Sequence, residues 1–333
     1  MTPDEELFDR VWRWAALRER GLTRHDLASD FWDAPFRGVR RWAGNAGDPV
    51  AAVIAAAAAL LPPDCCLGGW AAAYQRGIRY LDGNIGYPGA LPVPLLITEG
   101  HQLRRRPGIW PVRTTTVRCA DFDLVHGVPS IKLDLAGRQQ MCWARNVVEA
   151  VVVADMVTSV RTGEPTIPMA DLANRVDTTR RVRGIVQARA ALELASDRSA
   201  SPEESRTRMV WILDAQLPKP LVNAPVFTTT GALLGFADLL EPEAGYVHEI
   251  DGGQHRALAQ HTDDNIREEA FEAHGLVVSR STSRDRANAD ELRRRLRSTW
   301  RRAMARDRSA DRWTLQPPPG WREPRPTPPC TTP

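Results

Sequence analysis

Two short apolar runs in the last third of the chain, each carrying carboxylates, constrain its fold more than any other feature. The first is Gly235-Phe-Ala-Asp238-Leu-Leu-Glu241. The second is Tyr246-Val-His-Glu249-Ile-Asp251, which runs into Gly252-Gly253 and then His255. Side chains alternate along a strand, so Glu249 and Asp251 project to one side and Ile250 to the other. If the Asp238 strand pairs beside this one, three carboxylates converge. Such a cluster repels itself and raises its own pKa values. A hard divalent cation, Mg²⁺ or Mn²⁺, relieves the repulsion because it prefers oxygen ligands. The expectation is a metal-dependent hydrolase of phosphodiesters.

The flanking segments predict the elements around this pair. Ser201-Pro202-Glu203-Glu204 opens a helix with Met209, Ile212, Leu213 and Leu217 at helical spacing. An extended run follows over 221–229, then the Asp238 and Glu249 strands. A second helix starts near Thr262, turns Ala270 and Phe271 inward and stops at Gly275, and 276–279 reads as a buried strand. The order is helix, three strands, helix, strand.

Ser201-Pro-Glu-Glu204-Ser-Arg206, the Asp238 strand, Glu249-Ile-Asp251-Gly252, His255, Asp263-x-x-x-Arg267 and Gly275-Leu-Val-Val-Ser-Arg280 together resemble an endonuclease-like domain common in actinobacterial proteins. That domain is related to very-short-patch repair endonucleases within the PD-(D/E)XK nuclease superfamily. The resemblance covers roughly residues 197–290. More loosely, the whole chain resembles proteins in which a winged helix like that of the AbiE-system antitoxin precedes this domain. The resemblance implies Asp238 and Glu249 as metal ligands, with Glu204, Asp251 and His255 near the same site. One departure stands out: where the superfamily has a lysine two residues after the glutamate, this chain has Asp251. Lys132 and Lys219, its only lysines, both lie outside the motif. The work of a general base would then pass to His255, an arginine or a metal-bound water.

Each residue also has a purely structural reading. Ser201, Pro202 and Glu204 make a capping box by themselves. Asp238 can bond a turn. Glu249 in an apolar strand needs a partner, and Arg267 is the candidate. Asp251-Gly252 is a frequent turn pair. His255 can be a surface residue after that turn, and Asp263 with Arg267 has the spacing of a helix-surface ion pair.

The 333 residues allow two or three domains, and the apolar fraction of 43% suffices for real cores. The expected fold class is α/β and α+β mixed, in four parts: a winged-helix-like region (1–47), a middle α+β domain (48–196), an endonuclease-like αβββαβ domain (197–305) and a proline-rich disordered tail (306–333). In the first part, a helix over 5–20, the Gly21 turn and a short helix at 24–28 lead into Phe36-Arg37-Gly38-Val39-Arg40-Arg41, with Arg37, Arg40 and Arg41 facing nucleic acid. In the second, helices flank Pro62-Pro63, strands fall at 94–98 and 109–117, and long helices cover 143–160 and 182–194. Asp134 and Asp155 there have no visible partners. Net charge is only +3, so the whole chain is not a generic polyanion binder, but 280–312 is dense in arginine. Leu292, Leu296 and Trp300 repeat every four residues, predicting an amphipathic basic helix over 290–305. Its Arg294, Arg297 and Arg301, with Arg267, are candidate phosphate contacts, and a solvated face is the plainer reading.

Five cysteines, an odd count with Cys65 and Cys66 adjacent and Cys119, Cys142 and Cys330 scattered, lack zinc-ligand spacing and argue for a reducing compartment. The acidic N-terminus does not read as a signal peptide. The apolar run over 50–61 is shorter than the ~20 residues a bilayer requires. The expected location is cytoplasmic, with no membrane partner. Together these readings describe a Mg²⁺- or Mn²⁺-dependent DNA endonuclease in DNA repair or defence against foreign DNA. RNA is an alternative substrate. The competing reading is a non-catalytic DNA-binding regulator, an antitoxin with a partner toxin or other protein, built on a retired nuclease fold.

Overall fold

A computed structural model describes residues 11–44, 47–84, 89–115, 117–251, 267–282, 285, 288–324 and 326. The fold is mixed α and β, and it divides into two compact units. One runs to Val153 and includes Glu164–Ala190; the other combines Ala154–Gly163 with Ala191–Pro328.

In the first unit, β1 (Val11–Arg13) leads directly into helix α1 (Trp14–Glu19), followed by a single 3-10 turn (Asp26–Ala28), β2 (Trp32–Asp33) and β3 (Val39–Trp42). These strands form an antiparallel sheet in the order β1-β3-β2. The helix expected over 5–20 is thus confined to 14–19 in its described part. Val11 and Trp12 suit an extended strand, and pairing with Arg41 and Arg40 overrides their helical spacing. The small sheet is not separate from the middle region. Arg13 donates from Nε to Ala59 O (2.5 Å) and from Nη2 to Leu61 O (2.8 Å), capping the end of helix α2 (Pro49–Ala58).

A five-stranded mixed sheet follows, built from β4 (Cys66–Leu67), β5 (Val93–Ile97), β6 (Ile109–Arg113), β7 (Phe122–Val125) and β8 (Val128–Ile131) in the order β6-β5-β4-β8-β7. Helix α3 (Gly69–Gln75) starts with two otherwise orphaned N–H groups, and two glutamines of α4 (Leu133–Trp143) receive them. Gly69 N donates to Gln139 Oε1 and Trp70 N to Gln140 Oε1. The long helix expected over 143–160 is interrupted: Ala144 is extended, and Asn146 caps α5 (Val147–Thr158) by accepting from Glu149 N at 2.9 Å. Val151, Val152, Val153 and Val157 of α5 are buried. Helices α6 (Met169–Thr178) and α7 (Ile185–Leu194) complete the set. Asp134 does have a partner, Arg175 Nε at 2.6 Å.

The second unit has the order helix, three strands, helix, strand. Helix α8 (Pro202–Met209) continues as one π-helical turn (Val210–Asp214). Then come β9 (Leu221–Thr228), β10 (Leu233–Glu241), β11 (Tyr246–Asp251), a helix α9 described over 267–273, β12 (Val277–Thr282) and α10 (Ala289–Met304). The sheet order is β12-β11-β10-β9-β13, with β11 and β12 parallel and the others antiparallel. Alternation in β11 sends Tyr246 and Ile250 into a core with Trp211, Leu239, Leu292 and Leu296. Val247 faces the opposite way, into a core with Val226, Leu240, Phe271 and Val278. Helices therefore cover both faces, and burying each such large apolar side chain contributes roughly 1.5–3 kcal/mol.

Two expectations are corrected here. Asp155 is fully buried and does have partners: Arg208 Nη2 at 2.5 Å, the hydroxyls of Ser205 (2.6 Å) and Ser199 (3.0 Å), and Ser196 N (2.8 Å). The segment after 306 is ordered through 324. Asp311 is clamped by Arg306 and Arg308, and β13 (Trp313–Thr314) pairs with Thr228 and Phe227. The Trp321 ring then packs edge-on against Phe227 at 5.0 Å. Its prolines disfavour helix, but its tryptophans supply apolar surface that docks on β9.

Candidate functional site

Register builds the site. Asn223 and Asp238 lie between the pairs Ala224↔Ala237 and Val222↔Leu239. Asp238 faces Glu249 one step beyond Leu239↔His248, and Glu249 is level with Arg280 on β12. Asn223, Asp238, Glu249 and Arg280 thus fall in one row across four strands. The backbone draws Asp238 and Glu249 closer still: Ile250 N donates to Asp238 Oδ2 at 2.7 Å, and Asp238 N to Glu249 Oε1 at 3.4 Å. Of the three carboxylates expected to converge, Asp238 and Glu249 are neighbours, and no described contact joins Asp251 to them.

Glu249 is only 2% exposed. Arg267 on α9 holds its Oε2 through Nη2 (2.5 Å) and Nε (3.1 Å). Burial, and then the neighbouring Asp238, push the Glu249 carboxyl up to about 8, although Arg267 pulls the other way. The Arg267 guanidinium does not offset the effect of burial on Glu249. Arg267 therefore serves as the internal partner of Glu249, whereas a nucleic-acid contact was among its expected roles. Gly235 makes this approach possible. A Cβ there would come within 2.7 Å of Arg267 Cδ, and its φ of +156° disfavours L side chains.

Glu204 is buried at the start of α8 and realises its capping role: Ser201 Oγ accepts from Glu204 N, and Glu204 Oε2 accepts from Ala200 N. It also receives Asn223 Nδ2 at 2.6 Å, which ties it to the row through β9. Asp251 ends β11 half-exposed, level with Thr282. His255 lies outside the described residues, as does Asp263. Among the described residues, no group of three or more His, Cys, Asp or Glu side chains is arranged to hold a metal ion. The two acidic oxygen donors, Asp238 and Glu249, nevertheless have the chemistry a hard cation requires. The elevated Glu249 pKa reflects its burial first and the neighbouring Asp238 second.

The expected phosphate contacts divide. Arg297 is used internally, donating to Ala215 O (2.7 Å) and Gln216 Oε1 (3.1 Å), and Arg294 pairs with Glu291 on its own helix. Arg301 is exposed in the last turn of α10, whose buried residues are Leu292, Leu296, Thr299 and Ala303. In the first unit, Arg41 pairs with Asp33 at 2.7 Å. Arg40 donates to Leu27 O and lies over the Trp14 ring. Arg37 is exposed. Arg40, Arg41 and Arg297 thus each donate to an acceptor within the chain.

Sequence reasoning missed a second charged cluster beside the row. Arg198 donates Nε to Val222 O (3.1 Å) and Nη2 to Asn223 O (2.7 Å). Arg161 lies 4.2 Å over the ring of Phe236, two residues before Asp238. Glu323 bridges both arginines. Three residues so far apart in sequence leave no local signal. His248, by contrast, faces the Trp211 side, held between Ser279 and Ser281, and burial lowers its pKa to about 3.

Compared with family models, curated proteins and solved structures, the chain matches none. No helix among the described residues is long and apolar enough to cross a membrane.

Proposed function

We propose that the second unit is a metal-dependent nuclease, with Asp238 and Glu249 as its metal-holding carboxylates and DNA as its substrate. The observation that carries this reading is the pair itself: two acidic groups on adjacent strands, one buried and with its pKa raised to about 8 beside the other. The αβββαβ order and the motifs shared with the endonuclease-like domain support it. Mg²⁺ or Mn²⁺, when bound, would polarise a phosphoryl oxygen and lower the pKa of a bound water.

The residues of the chain have separable tasks. Asp238 and Glu249 supply oxygen donors. Ile250 N fixes the Asp238 carboxylate, and Arg267 fixes that of Glu249. Glu204 holds Asn223, and through it the β9 edge of the row. Asp251 extends the acidic face. His255, after β11, is the proposed group to accept a proton from the attacking water, since no lysine lies in the motif. A purified-protein assay on single- and double-stranded DNA and on RNA tests the reading: Asp238→Asn should abolish Mn²⁺-dependent cleavage while oligonucleotide binding is kept or tightened. Equal cleavage by the variant would overturn it.

One observation favours a second reading. Arg267 already brings positive charge to Glu249, as it would in a retired centre that binds DNA without cutting it. A winged-helix regulator with a partner toxin belongs to this reading, and the β1-β3-β2 sheet order supports it. Against it, the turn Asp26–Ala28 in the recognition position has three residues, too few to lie along a major groove. Binding without cleavage in the same assay would select this reading.

A further inference from the structure

We propose that Arg161 and Arg198 form a phosphate subsite for the nucleic-acid backbone, and that Glu323 occupies it as a tethered carboxylate competitor. The proposal rests on the nucleic-acid-binding part of the reading above and gives the C-terminal segment an autoinhibitory role.

Three observations carry it. First, the arginines are positioned without help from Glu323. Arg198 is fixed by two β9 carbonyls, and Arg161 by the face of Phe236. Second, Glu323 is gripped as an oxyanion would be. Its Oε1 receives Arg161 Nη1 (2.7 Å) and Arg198 Nη2 (2.8 Å), and its Oε2 receives Arg198 Nη1 (3.1 Å). This two-pronged fork suits carboxylate and phosphate alike. Third, the location is apt. Asn223, whose carbonyl orients Arg198, sits beside Asp238 in the sheet register, and Phe236 is two residues before Asp238 on β10. A backbone phosphate taken here would lie next to the carboxylate pair, where an incoming polyanion most needs positive charge.

The bridging segment suits a displaceable strap. Residues 321–324 form no helix or strand, and Glu323 and the two arginines all retain partial exposure, 14% for Arg161, 29% for Arg198 and 31% for Glu323. Trp321 against Phe227 tethers the segment close by, so the carboxylate competes at high effective concentration. Nucleic acid must displace it, and its apparent affinity falls by the fraction of open molecules.

Fluorescence anisotropy of a labelled oligonucleotide in EDTA tests this without cleavage. Glu323→Gln should bind about tenfold more tightly than wild type, with a salt dependence steeper by about one phosphate contact. The exposed Glu243→Gln, with the same change in charge, should stay within twofold. Adding Arg198→Met or Arg161→Met to Glu323→Gln should cancel the gain. Glu323→Asp keeps the charge but shortens the reach, so it should also tighten binding, and it serves if Glu323→Gln fails to fold. Unchanged affinity in a folded Glu323 variant would overturn the proposal, as would a gain that survives loss of either arginine. If inorganic phosphate stabilises Glu323→Gln through these arginines while oligonucleotide affinity is unchanged, the subsite serves free phosphate and the proposal fails. A gain in binding without any cleavage in Mn²⁺ retires the nuclease reading alone; cleavage with no gain retires the strap alone.

Discussion

Arg267 reaches from its helix to the buried carboxylate of Glu249, placing Nη2 2.5 Å from Oε2. It passes over the one β10 position, Gly235, that has no side chain to block it. Asp238 approaches the same carboxylate from the neighbouring strand, and burial together with this neighbour raises the Glu249 pKa despite Arg267. The chemistry proposed for the site rests on that carboxylate pair.

The raised Glu249 pKa makes stability depend on pH. In the folded protein Glu249 holds its proton up to about 8, whereas its ordinary value is 4.5. The folded state therefore binds the proton more tightly, and this contribution is fully present below about 4.5 and lost as pH rises through 8. Urea unfolding should show Glu249→Gln more stable than wild type by about 1–3 kcal/mol at pH 8.5, with little difference at pH 4.5. Mn²⁺ should raise the wild-type Tm more at pH 8.5 than at pH 6, and should leave Glu249→Gln unmoved.

Removing the cation gives the complementary result. Arg267→Met should destabilise by about 2–3 kcal/mol at pH 8.5, where a charged Glu249 loses its partner, and by about 1 kcal/mol at pH 5, where the carboxyl is neutral. Equal losses at both pH values would show that Arg267 contributes packing alone.

Gly235→Ala should cost about 2–3 kcal/mol in the same unfolding assay, because the new Cβ meets the Arg267 stem on a backbone that disfavours it. Combining it with Arg267→Ala should recover part of that loss, since the steric conflict disappears. A fully additive double variant would contradict the close approach.

His248 acts in the opposite pH range. Its pKa falls from 6.5 to about 3 on burial, so its contribution is present above about 6.5 and is lost as pH falls towards 3. His248→Asn should be less stable at pH 7.5 by about 1–3 kcal/mol, through lost contacts with Ser279 and Ser281. It should also lose less stability than wild type between pH 6.5 and 4.

Much of the second unit is legible in the chain. The alternation in 233–241 and 246–251 marks paired strands, and the Leu292–Leu296–Trp300 spacing marks α10. Alternation puts Glu249 and Asp251 on one side, whereas Asp238 reaches Glu249 only through strand pairing. Arg267 is legible as a partner because a buried charge requires one. The rest depends on long-range packing. Val11 and Trp12 fit a helix by spacing and become a strand because β3 offers hydrogen bonds. Asp155 looks isolated until Arg208, 53 positions away, reaches it. The segment after 306 has the prolines of a free tail, yet Trp313 and Trp321 bury against β9. Glu323 meets Arg161 and Arg198 only once that docking is complete.

Conversion of supercoiled plasmid to nicked or linear form by purified protein, in Mn²⁺ and in EDTA, is the most direct test of the carboxylate pair. The expected result is metal-dependent cleavage that Asp238→Asn reduces by roughly a thousandfold or more, in keeping with loss of a metal ligand. Intact plasmid in Mn²⁺ with the wild-type protein, or cleavage undiminished in Asp238→Asn, would contradict a nuclease centre at Asp238 and Glu249.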